Sequence, residues 1–417
     1  MASLRSVARA ANPIGTRVHQ PLRLGAITYA GTESDGSDLG LKKNAADRIW
    51  TAAEALYRTG LHPAISLVVR RHGEVVVDRA IGTLHFDGGG QMTTDTPACL
   101  FSCSKSITAL ILHRLAEDGQ LTLDDPVGQH LPDFASESKR TVTLRALLTH
   151  RAGLNKLPVR NPDPAMLFDA ERMLAAIADA PLSRKPRQAY HAVTSGYILG
   201  AVAEKVSGKS MHDLLREYVT DPVGAPTVTY GVPEDRRDAV ALSYSTGPTH
   251  LAPYSTLVRR LLGVPPHLIA PEMNTAAGMS AVLPAANAYA SAHDACRIFQ
   301  MLGDGGVWDG RQILAPETLA AALEPGGPLV IDASLPAPIR FSAGFMLGER
   351  VASLYGINTP NAFGHLGFTN IVCWADPSRA LSAAFINTGK AVSPEGFAGM
   401  AAVTAAISAN LPPLESD

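Results

Sequence analysis

The feature that most constrains this chain is a strand–turn–strand pattern that occurs near both of its ends. Residues 65–77 hold two apolar, β-branched runs around a short polar turn, which is typical of a β-hairpin. Residues 370–387 repeat the pattern around a turn that contains Pro377. A helical periodicity accompanies each hairpin, starting near Asn44 before the first and at Ser393 after the second, and both residues are predicted helix caps. Strands at both ends, each with a neighbouring helix, predict one sheet built from the two ends of the chain.

The middle of the chain has a different periodicity. Apolar residues recur at helical spacing between Ile107 and Leu115 and again between Ile198 and Val206, and a glycine follows each run. These patterns predict a mostly helical region inserted between the two halves of the sheet.

The predicted fold class is therefore α+β, with an antiparallel sheet flanked by helices and a mostly helical inserted region. The sheet domain is expected to comprise residues 41–100 and 282–417, and the mainly helical domain residues 101–281. Residues 1–40 are rich in glycine, serine and threonine and are expected to form a tail.

Composition excludes several classes of protein. The chain is 46% hydrophobic and 18% charged, with a formal net charge of −2, so it can bury a core and lacks the basic surface of a nucleic-acid-binding protein. It has no run of about 18 apolar residues, so we expect no transmembrane segment. Its four cysteines are too few for a disulfide framework, which favours reduced thiols and a cytoplasmic location.

The cysteines and histidines give little indication of a metal site. Cys99, Cys103 and His113 are candidates by residue type, but the sequence has no second pair of ligands at suitable spacing. We therefore expect neither a metal nor another cofactor, and nothing in the sequence sets the oligomeric state.

The motif that carries chemistry is Ser102-Cys103-Ser104-Lys105, a Ser-x-x-Lys at the start of the first helical run. At this spacing the two end residues share one helix face, so the lysine amine can lie against the serine hydroxyl. A serine hydroxyl needs a neighbouring base to become a nucleophile, and a lysine can be that base when burial lowers its pKa. The motif predicts Ser102 as nucleophile and Lys105 as proton acceptor; the alternative for Ser102 is a simple helix cap.

A second Ser-x-x-Lys occurs at Ser136 and Lys139, so the motif by itself is weak evidence. Its context differs, because Ser136 lies in a polar, charged stretch suited to a solvated loop, whereas Ser102 opens an apolar helix. Context therefore favours Ser102.

Five segments, in the same order along the chain, resemble signatures of the β-lactamase-like serine hydrolases, the family of penicillin-binding proteins and class C β-lactamases. They are Phe101–Thr108, Leu121–Pro132, Leu147–Leu154, Gly278–Gly306 and Gly364–Phe368, the last of which resembles a third active-site motif in its His-x-Gly form. The resemblance implies the β-lactamase/penicillin-recognising fold and is closest to the β-lactamase-like carboxylesterases and lipases.

The resemblance also implies roles for matching residues. Tyr190 occupies the place of the second-motif tyrosine, which would lie beside Ser102 and Lys105 and relay a proton to the leaving group. The backbone N–H groups of Ser102 and Phe368 would form the oxyanion hole.

The third motif is expected to lie on an edge strand that lines the cleft. There His365 is expected to bind a substrate carbonyl or carboxylate, and Gly367 to let the substrate approach the backbone. His150 and Tyr197 are assigned to structure, since Tyr197 falls within a helical apolar pattern.

Two departures from the family pattern bear on the substrate. The second motif usually reads Tyr-x-Asn, but Ala192 stands in place of the asparagine; the third often carries lysine where this chain has His365. In the family these residues hold a substrate amide and a carboxylate, so their absence favours esters. The sequence contains no Gly-x-Ser-x-Gly, which argues against an α/β-hydrolase.

The predicted function is a serine carboxylesterase or lipase-like hydrolase that forms an acyl-Ser102 intermediate on small-molecule esters with short or medium acyl chains. Two alternatives remain: β-lactam or D-amino-acid peptide hydrolysis, or acyl transfer, at the same site, and a catalytically silent binding protein on this fold. Residues 248–272, apolar and interrupted by Pro265-Pro266, are expected to form either a buried helix or a mobile flap over the acyl-binding cleft.

Overall fold

A central antiparallel sheet draws its strands from both ends of the chain. The structure, a computed structural model, describes residues 16–36, 38–86, 88–158, 164–183, 187–248 and 252–414. In chain order its strands are β1 (Thr28–Ala30), β2 (Ala64–Arg71), β3 (Glu74–Gly82), β4 (Ala98–Cys99), β5 (Thr229–Tyr230), β6 (Ala288–Ala290), β7 (Val307–Trp308), β8 (Arg311–Gln312), β9 (Val330–Ile331), β10 (Pro338–Ile339), β11 (Met346–Leu347), β12 (Ala352–Ser353), β13 (Gly356–Ile357), β14 (Phe363–Gly367), β15 (Ile371–Asp376) and β16 (Leu381–Asn387). The central sheet has seven of them, in the order β1-β3-β2-β16-β15-β14-β11.

The pairing of β2 with β16 joins the two ends of the chain. Ile65 pairs with Asn387 and Arg71 with Leu381, and the hairpins β2–β3 and β15–β16 lie on either side of this junction. The turn of the first hairpin has positive φ at both His72 (49°) and Gly73 (82°), the backbone twist that suits a two-residue connection. The predicted α+β fold with one antiparallel sheet from both ends is confirmed.

The predicted tail, residues 1–40, is wrong where it includes β1. Thr28 pairs with Ile81 and Ala30 with Arg79 at one edge of the sheet. Three residues are too few to show an alternating pattern in a segment rich in glycine and serine, so the sequence did not reveal this strand. Residues 1–15 lie outside the described residues.

The helices lie mostly between β4 and β6 and beside the sheet. In the described ranges they are α1 (Ala45–Arg58), α2 (Ser104–Glu117), α3 (Val127–His130), α4 (Leu144–Leu148), α5 (Pro164–Leu167), α6 (Ala170–Asp179), α7 (Thr194–Ser207), α8 (Met211–Leu215), α9 (Asp221–Val223), α10 (Tyr254–Leu262), α11 (Pro266–Met273), α12 (Ala276–Ser280), α13 (Ala292–Gly303), α14 (Pro316–Leu323) and α15 (Pro394–Asn410). None of these helices has the length and apolarity needed to cross a bilayer. The two predicted helical runs of the middle region form parts of α2 and α7.

Helices cover both faces of the sheet. α1 and α15 pack against each other on one face, while α13 packs against β2, β15 and β16 on the other. Every residue of β15 and β16 is buried, which explains why these strands read as continuous apolar runs rather than as an alternation.

Helices α1 and α15 begin differently. Ser393 caps α15, because its Oγ accepts a hydrogen bond from the Gly396 N–H at 3.2 Å, and Pro394 takes the first helical position. Asn44 precedes α1 in a left-handed conformation with φ 57°, and its side chain makes no capping bond. The predicted position of α1 is confirmed, but the predicted cap at Asn44 is wrong.

A small three-stranded sheet connects the helical region to the segment before Ser102. Its order is β4-β6-β5, so residues 98–99 pair beside strands from 288–290 and 229–230. The chain leaves this sheet at β4 and enters α2 through one tight turn. That turn carries the predicted nucleophile.

Candidate active site

Ser102 lies in a single 3₁₀ turn that immediately precedes α2. The turn begins at Phe101, whose φ of +47° is a left-handed conformation that costs an aromatic residue on the order of 1–3 kcal/mol. Ser104 fixes the turn, since its hydroxyl donates to the Phe101 carbonyl at 2.5 Å and accepts from the Ala288 N–H at 2.9 Å. No side chain caps the start of α2, so the helix-cap alternative for Ser102 is wrong.

Lys105 lies against the Ser102 hydroxyl in a buried position. Its Nζ is 3.2 Å from Ser102 Oγ and donates to the carbonyl oxygens of Ala192 at 2.7 Å and Ala285 at 3.0 Å. Burial lowers the pKa of Lys105 to about 7. A substantial fraction of the amine is therefore neutral near pH 7, which allows Lys105 to accept a proton from the serine.

Tyr190 is held beside Lys105 and Ser102 by contacts with distant parts of the chain. Its N–H donates to Oδ1 of Asp332 at 3.0 Å, and its ring centre lies 4.7 Å from that of His150 in an edge-on arrangement. The Lys105 Nζ is 4.9 Å from the centre of the Tyr190 ring. Burial raises the pKa of Tyr190 far above its ordinary value, although a hydrogen bond with Ser102 acts in the opposite direction. The phenol is therefore protonated at neutral pH and can donate a proton.

Three buried histidines lie around this group: His150, His191 and His365. The His191 N–H donates to His150 Nδ1 at 3.2 Å, and His191 Nε2 accepts from the Leu154 N–H at 3.1 Å. Burial, with a smaller contribution from the Lys105 ammonium, lowers the pKa of both His191 and His365 to about 3. These imidazoles are neutral and too weakly basic to replace Lys105, so they act through packing and hydrogen bonds.

The end of β14 is pressed against the turn that carries Ser102. A Cβ at Gly367 would lie 2.4 Å from the Leu100 carbonyl oxygen, so only glycine permits this approach. The rings of Phe101 and Phe368 contact each other, with centres 5.6 Å apart. The chain's own packing therefore requires Gly367, and the expected approach of the substrate to this residue stays a prediction.

His365 faces the protein interior. Because neighbouring residues of a strand point to opposite faces, Leu366 lines the large cavity described below and His365 lines a small buried one next to Lys105. Its Nδ1 is 2.8 Å from the Leu366 carbonyl oxygen, and its ring centre is 6.0 Å from that of Tyr190. The sequence predicted a contact with a substrate carbonyl or carboxylate, but the structure places this side chain behind the tyrosine and off the wall of the large cavity.

An apolar cavity of about 1000 Å³ opens above Ser102. Its size is at the upper end of the range for small-molecule sites. The predicted flap, through α10 and α11, forms one wall, and no described side chain of α10 is fully buried, which excludes the buried-helix alternative for that helix. Residues 249–251 of the flap lie outside the described residues. Other walls are apolar side chains from several elements: Leu167, Phe168, Val193, Leu335, Ile339, Met346, Leu354, Leu366, Phe368, Val392, Phe397 and Met400.

Other residues that the sequence singled out lie elsewhere or make structural contacts. Lys139 of the second Ser-x-x-Lys donates to the Ala178 carbonyl, away from Ser136. The Tyr197 hydroxyl donates to the Leu167 carbonyl at 2.6 Å, so this tyrosine is structural, although its ring also lines the cavity.

The residues first considered as metal ligands do not form a set. The thiols of Cys99 and Cys103 each donate to a carbonyl, and His113 Nε2 lies 2.8 Å from the carbonyl oxygen of Ala343. Among the residues that the structure describes, no group of three or more His, Cys, Asp or Glu side chains is placed to hold a metal ion.

Asp332 is a site residue that sequence reasoning missed. It is fully buried, and its Oδ1 accepts N–H groups from Ser334 at 2.8 Å and Leu335 at 3.0 Å in addition to that of Tyr190. The local turn has a sequence signal, since aspartate often accepts from the residues two and three positions later. The contact with Tyr190 has none, because 142 residues separate the two.

A serine in contact with a buried lysine of lowered pKa, with a protonated tyrosine beside both, is an arrangement typical of a serine hydrolase. Residues 53–406 match the Beta-lactamase family model, and the chain belongs to this family. The family and its esterase-named members establish the chain as a serine hydrolase, and the predicted resemblance is confirmed.

Comparisons with individual proteins agree with this family assignment. The chain is 29% identical over 339 residues to the esterase/beta-lactamase LipL of Mycobacterium tuberculosis, covering 77% of this chain and 76% of LipL. It is 32% identical over 203 residues to the esterase EstB of Burkholderia gladioli, a match that spans 52% of EstB. Among solved structures, a penicillin-binding protein homologue from Caulobacter crescentus (30% identity) and a family VIII carboxylesterase (26%) each superpose with a TM-score of 0.75, over 88% of this chain and 99% of theirs.

Proposed function

We propose that this protein is a carboxylesterase that hydrolyses small, lipophilic esters through an acyl-Ser102 intermediate. The observation that carries the proposal is the 3.2 Å contact between Lys105 Nζ and Ser102 Oγ on the floor of an apolar cavity. The lysine supplies the base, the cavity excludes water from the apolar part of the substrate, and the family relatives named as esterases support this chemistry.

In the acylation step the neutral amine of Lys105 takes the proton of Ser102 as Oγ attacks the ester carbonyl carbon. The negative charge moves to the carbonyl oxygen, where the backbone N–H groups of Ser102 and Phe368 stabilise it. The tetrahedral intermediate then collapses, the C–O bond to the alcohol breaks, and Tyr190 donates a proton to the leaving oxygen. The lysine ammonium restores the proton of the tyrosine, so the site ends with acyl-Ser102 and a neutral lysine.

Deacylation repeats these steps with water as nucleophile. Lys105, directly or through Tyr190, takes a proton from the water as it attacks the acyl carbon, and the same two N–H groups hold the oxyanion. Ser102 leaves with the proton from the lysine ammonium, which releases the carboxylic acid. The enzyme returns to its starting protonation state, and neither the acylation step nor the deacylation step uses a cofactor.

The preference for esters over lactams and amides depends on Ala192. Its carbonyl holds Lys105 at 2.7 Å, but its methyl side chain has no amide with which to hold a substrate amide. An amide substrate would leave its polar groups unmatched against the apolar wall, whereas an ester presents fewer such groups. Esters also expel an alkoxide more readily than amides expel nitrogen.

The test compares wild type with Ser102→Ala on p-nitrophenyl esters and a fluorophosphonate probe. We expect turnover and labelling in the wild type, with the label mapped to Ser102 by mass spectrometry, and neither in the variant. Ser102 caps no helix, so the variant should keep the melting temperature of the wild type. Labelling of another serine, or undiminished turnover in Ser102→Ala, would refute the assignment.

β-Lactam hydrolysis is a second candidate, which one observation favours: LipL is named both as an esterase and as a β-lactamase. Nitrocefin, a chromogenic cephalosporin, tests it on the same preparation. Efficiencies for nitrocefin comparable to those for esters would favour this candidate.

A further inference from the structure

Lys390 is a second buried lysine near the nucleophile, and the mechanism above does not use it. It lies in the segment after β16 and is 2% exposed. Its Nζ donates to the Asn387 carbonyl at 2.6 Å and lies 4.9 Å from the centre of the Phe101 ring. In the described part of the chain it forms no ion pair with a carboxylate. The face of the Phe101 ring is therefore one of the main groups that stabilise its ammonium.

Phe101 is the residue through which this charge can affect the reaction. It precedes Ser102, so the peptide that joins them carries one of the two proposed oxyanion-hole N–H groups. Its ring contacts that of Phe368, whose own N–H is the other. Phe101 also has the unfavourable φ of +47°, a conformation that persists only when surrounding contacts enforce it.

We infer that Lys390 is a positioning residue for the reaction: its ammonium group, stacked on Phe101, holds the Phe101–Phe368 pair and with it the two backbone donors of the oxyanion hole. The inference rests on the proposed function, because it assigns those donors to the oxyanion. Lys390 does not contact the substrate. It acts through the orientation of the peptide before Ser102, and a neutral amine holds the ring less strongly.

The side chains that face Lys390 are an amide, an imidazole and two thiols. Asn387 comes from β16, Cys99 from β4, and His62 from the segment before β2. Burial lowers the pKa of His62 to about 3 and raises the pKa of Cys99 to about 12. The Cys103 thiol, on the serine turn, completes the titratable groups that act on the ammonium among the described residues.

The two lysines need opposite protonation states for activity. Burial lowers the pKa of Lys390 to about 7, as it does that of Lys105. Lys105 must lose its proton to act as base, so activity rises with pH through this range. Lys390 must keep its proton to hold Phe101, so activity falls as pH rises further. The wild type should therefore show a bell-shaped profile of kcat against pH, with both limbs near neutrality.

The test uses Lys390→Met, which keeps most of the side-chain volume and removes the charge. We expect kcat on a p-nitrophenyl ester to fall by about 10- to 100-fold, less than the loss of a whole oxyanion donor, with KM changed by less than about threefold. The alkaline limb should disappear while the acid limb of Lys105 remains. A purely structural role for Lys390 would leave the shape of this profile unchanged, and an unchanged shape or wild-type kcat would overturn the inference.

Two further variants distinguish the loss of the Lys390 charge from misfolding. Lys390→Arg retains the charge at high pH, so it should recover much of kcat and also lack the alkaline limb. In a Phe101→Leu background, Lys390→Met should have little further effect, because the ring on which the charge acts is gone. Additive losses in the double variant would overturn the inference.

The rate of fluorophosphonate labelling separates this inference from the proposed function. Phosphonylation of Ser102 uses the same donors but does not depend on the natural ester. If the wild type is labelled at Ser102 and Lys390→Met is labelled at the same rate, the role of Lys390 is refuted and the proposed function is not. A wild type that fails to label at Ser102 would refute the proposed function and the role of Lys390 with it.

Discussion

The backbone N–H of Tyr190 donates to the carboxylate of Asp332 at 3.0 Å, which links the predicted proton donor to a residue 142 positions later in the chain. The same Oδ1 accepts two further N–H groups, from Ser334 and Leu335. One buried oxygen therefore closes a local turn and fixes the segment that presents the tyrosine. Three hydrogen bonds to one buried oxygen make this contact a rigid support for the site.

Asp332→Ala should reduce both stability and turnover. It leaves three N–H groups, two of them buried, without an acceptor, at a cost of about 1–3 kcal/mol for a buried unsatisfied group, and it frees the Tyr190 segment. Asp332→Asn, the matched control, keeps an oxygen in the Oδ1 position. Thermal unfolding and kcat measured on both variants check this, and an alanine variant as active as wild type would contradict it.

The acid limb of the pH profile should belong to Lys105. Its pKa is lowered to about 7, so in Lys390→Met, which is expected to lack the alkaline limb, kcat/KM should rise from pH 5 and reach half of its maximum near pH 7. Lys105→Arg should lose activity almost as completely as Ser102→Ala, because a guanidinium stays charged and cannot accept the proton. Ester hydrolysis from pH 5 to 9 is the measurement, and wild-type turnover in Lys105→Arg would rule out the lysine as base.

Gly367→Ala should damage the site although it adds only a methyl group. The new Cβ would meet the Leu100 carbonyl oxygen at 2.4 Å, so either β14 or the turn before Ser102 must move. We expect a loss of about 10²-fold or more in kcat, comparable to loss of an oxyanion donor. Gly25→Ala is the matched control, because a Cβ there meets nothing within 4 Å and the backbone is not in the left-handed region.

The flap formed by α10 and α11 should set the preference for acyl length. Leu261 and Leu262 line the cavity, so Leu261→Ala with Leu262→Ala removes apolar surface that a long acyl chain contacts. We expect kcat/KM for octanoyl esters to fall by about tenfold, equivalent to about 1.4 kcal/mol, while that for acetyl esters stays within about twofold. An unchanged ratio between the two substrates would show that the flap does not bind the acyl chain.

Esters should be better substrates than β-lactams by at least about 10²-fold in kcat/KM. Ala192→Asn supplies the side-chain amide that the site lacks and should narrow this gap by improving nitrocefin hydrolysis. Both substrates are compared on one preparation at one pH. Ala192→Ser, which adds a polar group without the amide geometry, is the matched control and should narrow the gap less.

Much of the fold could be predicted because its signals are local. The hairpin at 65–77 and the runs that form α2 and α7 have the periodicity of the elements they form. β1 could not be predicted, because three residues show no period and their pairing partner lies about fifty residues away.

The site residues also divide into those that the sequence indicates and those that it does not. The Ser102–Lys105 contact follows from spacing on one turn, and Tyr190 followed from the order of family motifs. The side-chain direction of His365 depends on which face of β14 is toward the cavity, and the sequence of an almost fully buried strand does not reveal this. Asp332 and Lys390 act across long separations, so no window of sequence could pair them with Tyr190 or Phe101.

The junction of β2 with β16 has a consequence for synthesis on the ribosome. The Ala64 N–H donates to the Thr388 hydroxyl across a separation of 324 residues, and every rung of the β2–β16 ladder spans a similar length of chain. While the polypeptide is being made, the first hairpin must wait with one edge unpaired until nearly the whole chain has left the exit tunnel. Translation therefore delivers the nucleophile and its helices long before the strand that completes the sheet, and the edge of β2 stays unpaired through most of synthesis.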